Sequence, residues 1–280
     1  MAVVQPRFAN VASEGRRILM CDPDCFDVKY EINPWMKGKK VNKAKIIQQW
    51  TTLKQTFEHA GVKVEVLKGD PKVPDIVYTA NAGLVRGDLA WISHFLNLQR
   101  KPESKIYAEW FRRSGYRVIE DDTWVFEGQG DARFAIGSQS PLLLFVGYGV
   151  RTQREGIEKL NGAFNCKTVP VKLTNPAFFH LDTCFCPIAE QLAIAYLPAI
   201  DVESVRELER HTELIPVSDV DANKFGCNCV PISSKYVVLP QGCQQLSKAL
   251  ADRGVQSIPV DVSEFLKGGG AMRCLTLDLE

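Results

Sequence analysis

Apolar residues recur at helical spacing in five separate stretches of the chain, and each stretch is followed by a short alternating run. Residues 42–59 are the clearest case. Ile46, Ile47, Trp50, Leu53 and Phe57 fall on one face, Asn42 can cap the start, and Gly61 tolerates the left-handed backbone that ends a helix. Comparable patterns lie at 102–114, with Ile106, Tyr107, Trp110 and Phe111, at 152–161, at 201–210, with Val202, Val205 and Leu208, and at 243–253. The runs that follow, VKVEVL, YRVIE, KTVPVKL, ELIPVSD and QSIPVDV, alternate with a period of two and predict strands with one polar face.

Each predicted strand leads into a segment of small and polar residues: YTANAGLV, VFEGQGDARF, FHLDTCFCP, FGCNCVP and GGGAMRCLT. Asn81, Glu127, His180, Asn228 and Cys274 mark corresponding places in them, at spacings of 46, 53, 48 and 46 residues. Four of the segments are followed by a second apolar run, LAWISHF, LLLFVGYG, LAIAYLPA and KYVVLP, as a hairpin requires. The fifth has none, whereas the chain opens with an unpaired run, RRILMC, so the N-terminal strand is expected to complete the last unit as terminal strands do in propellers. The prediction is one α/β domain over 17–280, a propeller of five strand-helix units about a pseudo-fivefold axis, preceded by a flexible segment, 1–16. Radial repetition would bring Asn81, Glu127, His180 and Cys274 to one central cleft.

Composition narrows the partners. Among 280 residues Lys plus Arg exceed Asp plus Glu by one, so no global field favours nucleic acid or an anionic membrane, and a small molecule is the expected ligand. The N-terminus has no apolar region with a cleavage site, and no apolar run is long enough to span a bilayer. Arg7, Arg16 and Arg17 are basic, but Glu14 weakens a transit-peptide reading. Nine cysteines, an odd number in a chain that needs no disulfides, point to reduced thiols in the cytoplasm.

In HLDTCFCP, a strand would set His180, Asp182, Cys184 and Cys186 on one face. His180 alone could equally be a core histidine satisfied by a carbonyl. With Cys274, Glu127 and Asp182 beside it, the cleft has a nucleophile, an acid-base group and two carboxylates that are costly to bury unless a cation lies between them. A planar guanidinium fits, with five donors in a fixed fork and a charge it cannot shed. Gly268, Gly269 and Gly270 would let the chain turn and a substrate approach Cys274 closely, although a glycine run can also be a plain loop and a free cysteine a buried, inert one.

INPWM, TANAGL, FEGQGD, FHLDT and GGGAMRC together resemble the guanidino-group-modifying enzymes, the pentein superfamily of arginine deiminases, dimethylarginine dimethylaminohydrolases, amidinotransferases and arginine dihydrolases. The resemblance covers nearly the whole chain and implies five ββαβ modules. It implies Cys274 as nucleophile, His180 as general acid-base, Glu127 as the carboxylate that orients the guanidinium, and Asp182 as a second grip on its nitrogens. It further implies that Arg100 and Arg151 bind the substrate α-carboxylate and that Asp75 lies near its α-amino group; the residues alone would pass for surface charges. Asn33, in INPWM, matches the family motif, though an Asn before Pro34 is also a turn former.

Asn81 stands where deiminases and dimethylargininases carry aspartate, and TANAGL with INPWM looks like the arginine dihydrolases, which take arginine to ornithine, carbon dioxide and two ammonia. Dimethylarginine dimethylaminohydrolase, acting on N-methylated arginine, is the second enzyme reading. A non-enzymatic propeller that binds a macromolecule is the reading from another class, and a homo-oligomer is compatible with the resemblance. The cationic substrate is expected to lower the Cys274 thiol pKa. No cofactor is expected, since no phosphate-binding glycine loop is present. No metal is expected either, because the close pairs Cys184/Cys186 and Cys227/Cys229 are too tightly spaced for usual zinc ligation. The loop from Gly38 to Lys43 is expected to be mobile and to fold over the site as a lid.

Overall fold

Asn42 accepts the backbone N–H of Lys45 at 3.1 Å and opens α1 (Lys43–His59), which buries Ile46, Leu53 and Phe57 as the periodicity predicts. Ile47, counted on the same face, is 48% exposed, because it lies one residue round from Ile46 on the solvent side. The structure, a computed structural model, describes residues 8–12, 14–137 and 141–279. Of the predicted flexible segment, residues 1–7 and 13 lie outside the described residues. Within it, Phe8 is buried with its ring edge-on to His59, at 5.2 Å, and Ala12 N–H donates to Ala60 O.

The helix α1 connects β1 (Arg17–Cys21) to β2 (Lys63–Leu67), which pair in parallel. Three further units follow one plan, a hairpin, then a helix, then a strand parallel to the second hairpin strand. The next is β3 (Gly83–Arg86), β4 (Leu89–Ile92), α2 (Glu103–Arg113) and β5 (Arg117–Ile119). After it come β6 (Ala132–Phe134), β7 (Leu142–Tyr148), α3 (Lys159–Phe164) and β8 (Cys166–Lys172). A helical turn, α4 (Leu181–Cys184), introduces β9 (Phe185–Ala189), β10 (Leu192–Ala195), α5 (Val202–Glu209) and β11 (Glu213–Pro216).

Another turn, α6 (Asp219–Ala222), precedes a fourth unit of the same plan: β12 (Val230–Ser233), β13 (Tyr236–Pro240), α7 (Gln244–Ala251) and β14 (Gln256–Val260). Then α8 (Ser263–Leu266) leads to β15 (Leu277–Asp278), which pairs antiparallel with β1 through Ile18 with Asp278 and Leu19 with Leu277. The N-terminal strand thus supplies the partner that the last segment lacks. The result is a mixed α/β fold of five three-stranded sheets. Their middle strands are buried on both faces, as in Leu89–Ile92 and Val237–Leu239, and so read as continuous apolar runs.

Two local expectations are corrected. The third helix does not occupy 152–161 but starts at Lys159. The Thr152 hydroxyl and the Gln153 N–H are committed elsewhere, to Asp131 Oδ2 and Val125 O. HLDTC is not a strand, because residues 181–184 make the single turn α4, and only Phe185 onward is extended. No helix of the described residues is long and apolar enough to cross a membrane.

Candidate active site

All five marker residues stand in the turn just before the first strand of a sheet, not on the strand itself. Asn81 lies in the 3-10 turn before β3, Glu127 and His180 at the N-caps of turns before β6 and β9, Asn228 before β12 and Cys274 before β15. The same end of each unit therefore presents its polar group, and Asn81, His180 and Cys274 line one small cavity with Asp75, Arg100, Arg151 and Asn33.

Cys274 is held by Asn228. Its Oδ1 accepts the backbone N–H groups of Ala271, Arg273 and Cys274 at 3.0–3.1 Å, while its Nδ2 lies 3.1 Å from both Cys274 Sγ and Asp182 O. The repeat spacing marks this residue, but sequence reasoning assigns it no role. Cys274 Sγ is 3.3 Å from Asp182 Oδ2. Burial, then the charge and hydrogen bond of Asp182, push the thiol pKa well above its usual range. The predicted lowering therefore requires the cation itself, since burial and Asp182 shift the thiol the other way.

The three glycines have a role beyond leaving space for a ligand. A Cβ on Gly268 would fall 2.1 Å from the Tyr78 hydroxyl, which donates to Phe265 O. One on Gly269, at φ +89°, would fall 2.7 Å from Asn33 Oδ1. They let Tyr78 and Asn33 press against the loop that carries the thiol.

His180 Nε2 is 2.6 Å from Glu127 Oε2, and both residues are buried. Glu127 Oε1 accepts the Leu96 N–H at 3.1 Å, and Arg151 Nη1 approaches Oε2 at 3.3 Å. Burial raises the Glu127 pKa, but Arg151, His180 and Arg100 outweigh it and hold the carboxyl at about 2. Asp131, absent from the sequence-derived set, ties these groups together. It accepts the Leu181 N–H next to His180 and the Thr152 hydroxyl, and Thr152 in turn accepts the Glu127 N–H.

Arg100 and Arg151 are 3% and 6% exposed, so neither is a surface charge. Arg100 turns its Nε and Nη2 onto Glu103, each at 2.8 Å, and donates from Nη1 to Asn81 Oδ1 at 2.8 Å. A ligand carboxylate can therefore reach only the Nη1 side of that guanidinium, because Glu103, which no motif marks, occupies the fork. Arg151 stacks over the Phe179 ring at 4.6 Å and donates to Ile32 O. Asn81 Nδ2 donates to Glu127 O at 3.2 Å.

Among the described residues three carboxylate oxygens in the site lie beyond hydrogen-bond distance of any partner, Asp75 Oδ1 and Oδ2 and Asp182 Oδ1, although the Tyr30 hydroxyl faces Asp75. Burial raises the pKa of both groups, that of Asp182 to about 6. Buried acceptors left open at two places suit a ligand with two separate cationic groups.

A strap closes the cleft. Asn33 Nδ2 donates to Gly268 O at 3.0 Å, Trp35 Nε1 donates to Ala177 O at 2.6 Å, and the Trp35 ring packs edge-on to Phe225. The remaining cavity, about 20 Å³, has room for one water and no amino acid. Residues 32–36, rather than the predicted 38–43, cover the site.

A family model described as N,N dimethylarginine dimethylhydrolase, eukaryotic, matches residues 28–280. An uncharacterized protein of Caenorhabditis elegans, ZK1307.1, is 40% identical over 94% of each chain. The bifunctional arginine dihydrolase/ornithine cyclodeaminase ArgZ of Synechocystis sp. is 36% identical over 93% of this chain, which spans only 37% of that protein's length. An N(G),N(G)-dimethylarginine dimethylaminohydrolase of Mycobacterium tuberculosis is 34% identical over 94% of this chain and 86% of its own. The product-bound N-terminal domain of ArgZ, an arginine dihydrolase from the ornithine-ammonia cycle in cyanobacteria, superposes with a TM-score of 0.90 at 35% identity, covering 95% of this chain and 97% of that one. With its thiol, histidine and carboxylates gathered in one cleft, the chain belongs to the N,N-dimethylarginine dimethylhydrolase family, eukaryotic type.

Proposed function

We propose that this protein is an arginine dihydrolase, taking free arginine to ornithine, carbon dioxide and two ammonia. The observation that carries the reading is the buried amide of Asn81, wedged between Arg100 and Glu127 in a cleft where Asp75 and Asp182 leave carboxylate oxygens open. Asp182 would receive the guanidinium beside Cys274, and Asp75 the α-amino group. Solved forms of ArgZ add support: a cysteine-to-serine variant is bound to substrate, and an asparagine-to-serine variant is covalently bonded to a reaction intermediate. The two substituted positions of that protein stand the same number of residues apart as Cys274 and Asn81 here.

In the proposed cycle the Cys274 thiolate attacks the guanidinium carbon, the carbon-nitrogen bond to a terminal amine breaks, and His180 gives that amine its proton, releasing ammonia. Water, deprotonated by His180, then adds to the amidino-thioether, and the carbon-sulfur bond breaks to leave citrulline. A neutral Asn81 amide both donates to and accepts from a ureido group, so citrulline is retained for a second attack. There Cys274 adds to the ureido carbon, the bond to the terminal nitrogen breaks and His180 protonates the second ammonia; water then cleaves the carbon-sulfur bond, and the N-carboxyl group released from the thiol is lost as carbon dioxide to leave ornithine. Glu127, with its Oε2 2.6 Å from Nε2, keeps the imidazole oriented.

The five sheets support a five-unit propeller whose ring is closed by β1 and β15, formed by residues 17–280 as a single domain. Nine free thiols support a reducing compartment, the cytoplasm. The family match and the mycobacterial relative favour a second reading, dimethylarginine dimethylaminohydrolase. Product analysis separates the two. With arginine, ornithine and two ammonia per substrate are expected, and Asn81→Asp should divert the product to citrulline. Dimethylamine and citrulline from asymmetric dimethylarginine, with arginine untouched, would overturn the dihydrolase reading.

A further inference from the structure

A second cavity, of about 590 Å³, shares no lining residue with the cleft. Its walls come from β3, β6, β12, Gln129 and the residues flanking β1 and β15, and they carry four guanidinium groups, Arg16, Arg86, Arg133 and Arg273. One carboxylate faces them. Asp278 accepts from Arg16 Nη2 at 3.2 Å and from Arg273 Nη1 at 2.9 Å, and Arg133 Nη1 lies 4.0 Å from it.

The charges here do not balance. Arg133 is 8% and Arg273 1% exposed, and the Nε of each is buried with no partner. Among the described residues Arg133 makes only a long ion pair, with Asp278, which is already shared with two other arginines; Asp182 also attracts Arg133 and Arg273 from a distance, but its Oδ2 lies against Cys274. Buried guanidinium groups short of acceptors are costly unless an anion completes them. Burial and the neighbouring Arg133 push even the Arg273 pKa down, to about 10. Arg86, over the Phe134 ring at 5.0 Å, stands exposed at the rim, and the Ser233 and Ser234 side chains add hydroxyls. The volume is that of a small-molecule site.

We propose that this cavity is a second ligand site, taking a small multivalent oxyanion whose phosphate or carboxylate groups lie against the guanidinium groups of Arg16, Arg86, Arg133 and Arg273. Arginine suits either group, since its planar fork matches both. The site is close to the chemistry through the backbone. Arg273 directly precedes Cys274, and Gln129, whose Oε1 accepts from Arg273 Nη2, directly precedes Gly130, which lies against Asn81 and His180.

Calorimetric titration of the full chain with pyrophosphate, and separately with citrate, at constant ionic strength tests this. At least one probe is expected to bind one saturable site per chain, and the preferred probe tells phosphate from carboxylate ligands. Arg133→Met should weaken binding by about tenfold or more, and Arg86→Gln, at the exposed rim where folding is not at risk, by about threefold. Cys274→Ser and saturating arginine should leave it unchanged. No saturable binding of either probe, equal affinity in both arginine variants, or loss of binding in Cys274→Ser would each overturn the proposal.

Discussion

The Cys274 sulfur and Asp182 Oδ2 stand 3.3 Å apart, and the carboxylate makes ionisation of the thiol harder while the thiol, by donating to it, favours the ionised form of Asp182. The protein's own groups therefore favour a neutral thiol, and a cation beside the sulfur is what would favour the thiolate.

Replacing Asp182 should accordingly act in opposite directions on two readouts. Asp182→Asn is expected to speed alkylation of Cys274 by iodoacetamide at pH 8 by about tenfold, because the like charge is gone. Turnover of arginine should fall by at least about a hundredfold, because the guanidinium loses its carboxylate. Parallel losses in both measurements would mean that Asp182 only supports the fold.

Arginine affinity should depend on pH with a defined sign. Burial raises the Asp182 pKa to about 6, and only the ionised form attracts a guanidinium. Binding to Cys274→Ser, which cannot turn over, is expected to level off above pH 6 and to weaken by up to about tenfold per unit below it. Burial also raises the Asp75 pKa, which acts in the same direction. A flat calorimetric profile between pH 5 and 7 would contradict the assignment.

Glu127 titrates the other way. Its folded-state pKa, about 2, lies below the ordinary 4.5, so its contribution to stability is complete above pH 4.5 and is lost as pH falls towards 2. Glu127→Gln leaves Arg151 buried without its carboxylate, at a cost of roughly 3–5 kcal/mol. The expected result is a melting temperature lower by about 10 °C, seen by calorimetry at pH 7, with loss of turnover.

Gly130 sets the position of Asn81. A Cβ there would lie 2.2 Å from Asn81 Nδ2 and would break its bonds to Glu127 and Arg100. Gly130→Ala should lower kcat/KM by about a hundredfold, and the citrulline share of the product should rise. Unchanged product ratios would separate Asn81 from the second step.

The five units were legible in the sequence because a strand or an amphipathic helix writes its period directly into the residues, as β13 and α1 do. Residues that meet at the cleft were legible where a unit repeats its marker, as with His180 and Cys274. Asp131, Glu103 and the fixing role of Asn228 were not, because what they do depends on partners far along the chain, Leu181, Arg100 and Ala271 to Cys274. The packing role of the glycines before Cys274 was not legible for a similar reason: what lies against Gly268 is Tyr78, which no local pattern announces. HLDTC read as a strand because four residues are too few to distinguish one helical turn from alternation.

The antiparallel pairing of β1 with β15 also bears on how the protein is made. A ribosome makes Arg17 to Cys21 long before Leu277 and Asp278, so β1 emerges lacking one neighbour until the intervening units have been made. Closing so distant a contact is entropically slow. Cys274 lies three residues before the closing strand, so the thiol loop can settle onto Asn228 only after the four preceding units have emerged. A cleft whose thiol loop is made after its other walls is one that chains broken off before β15 cannot complete.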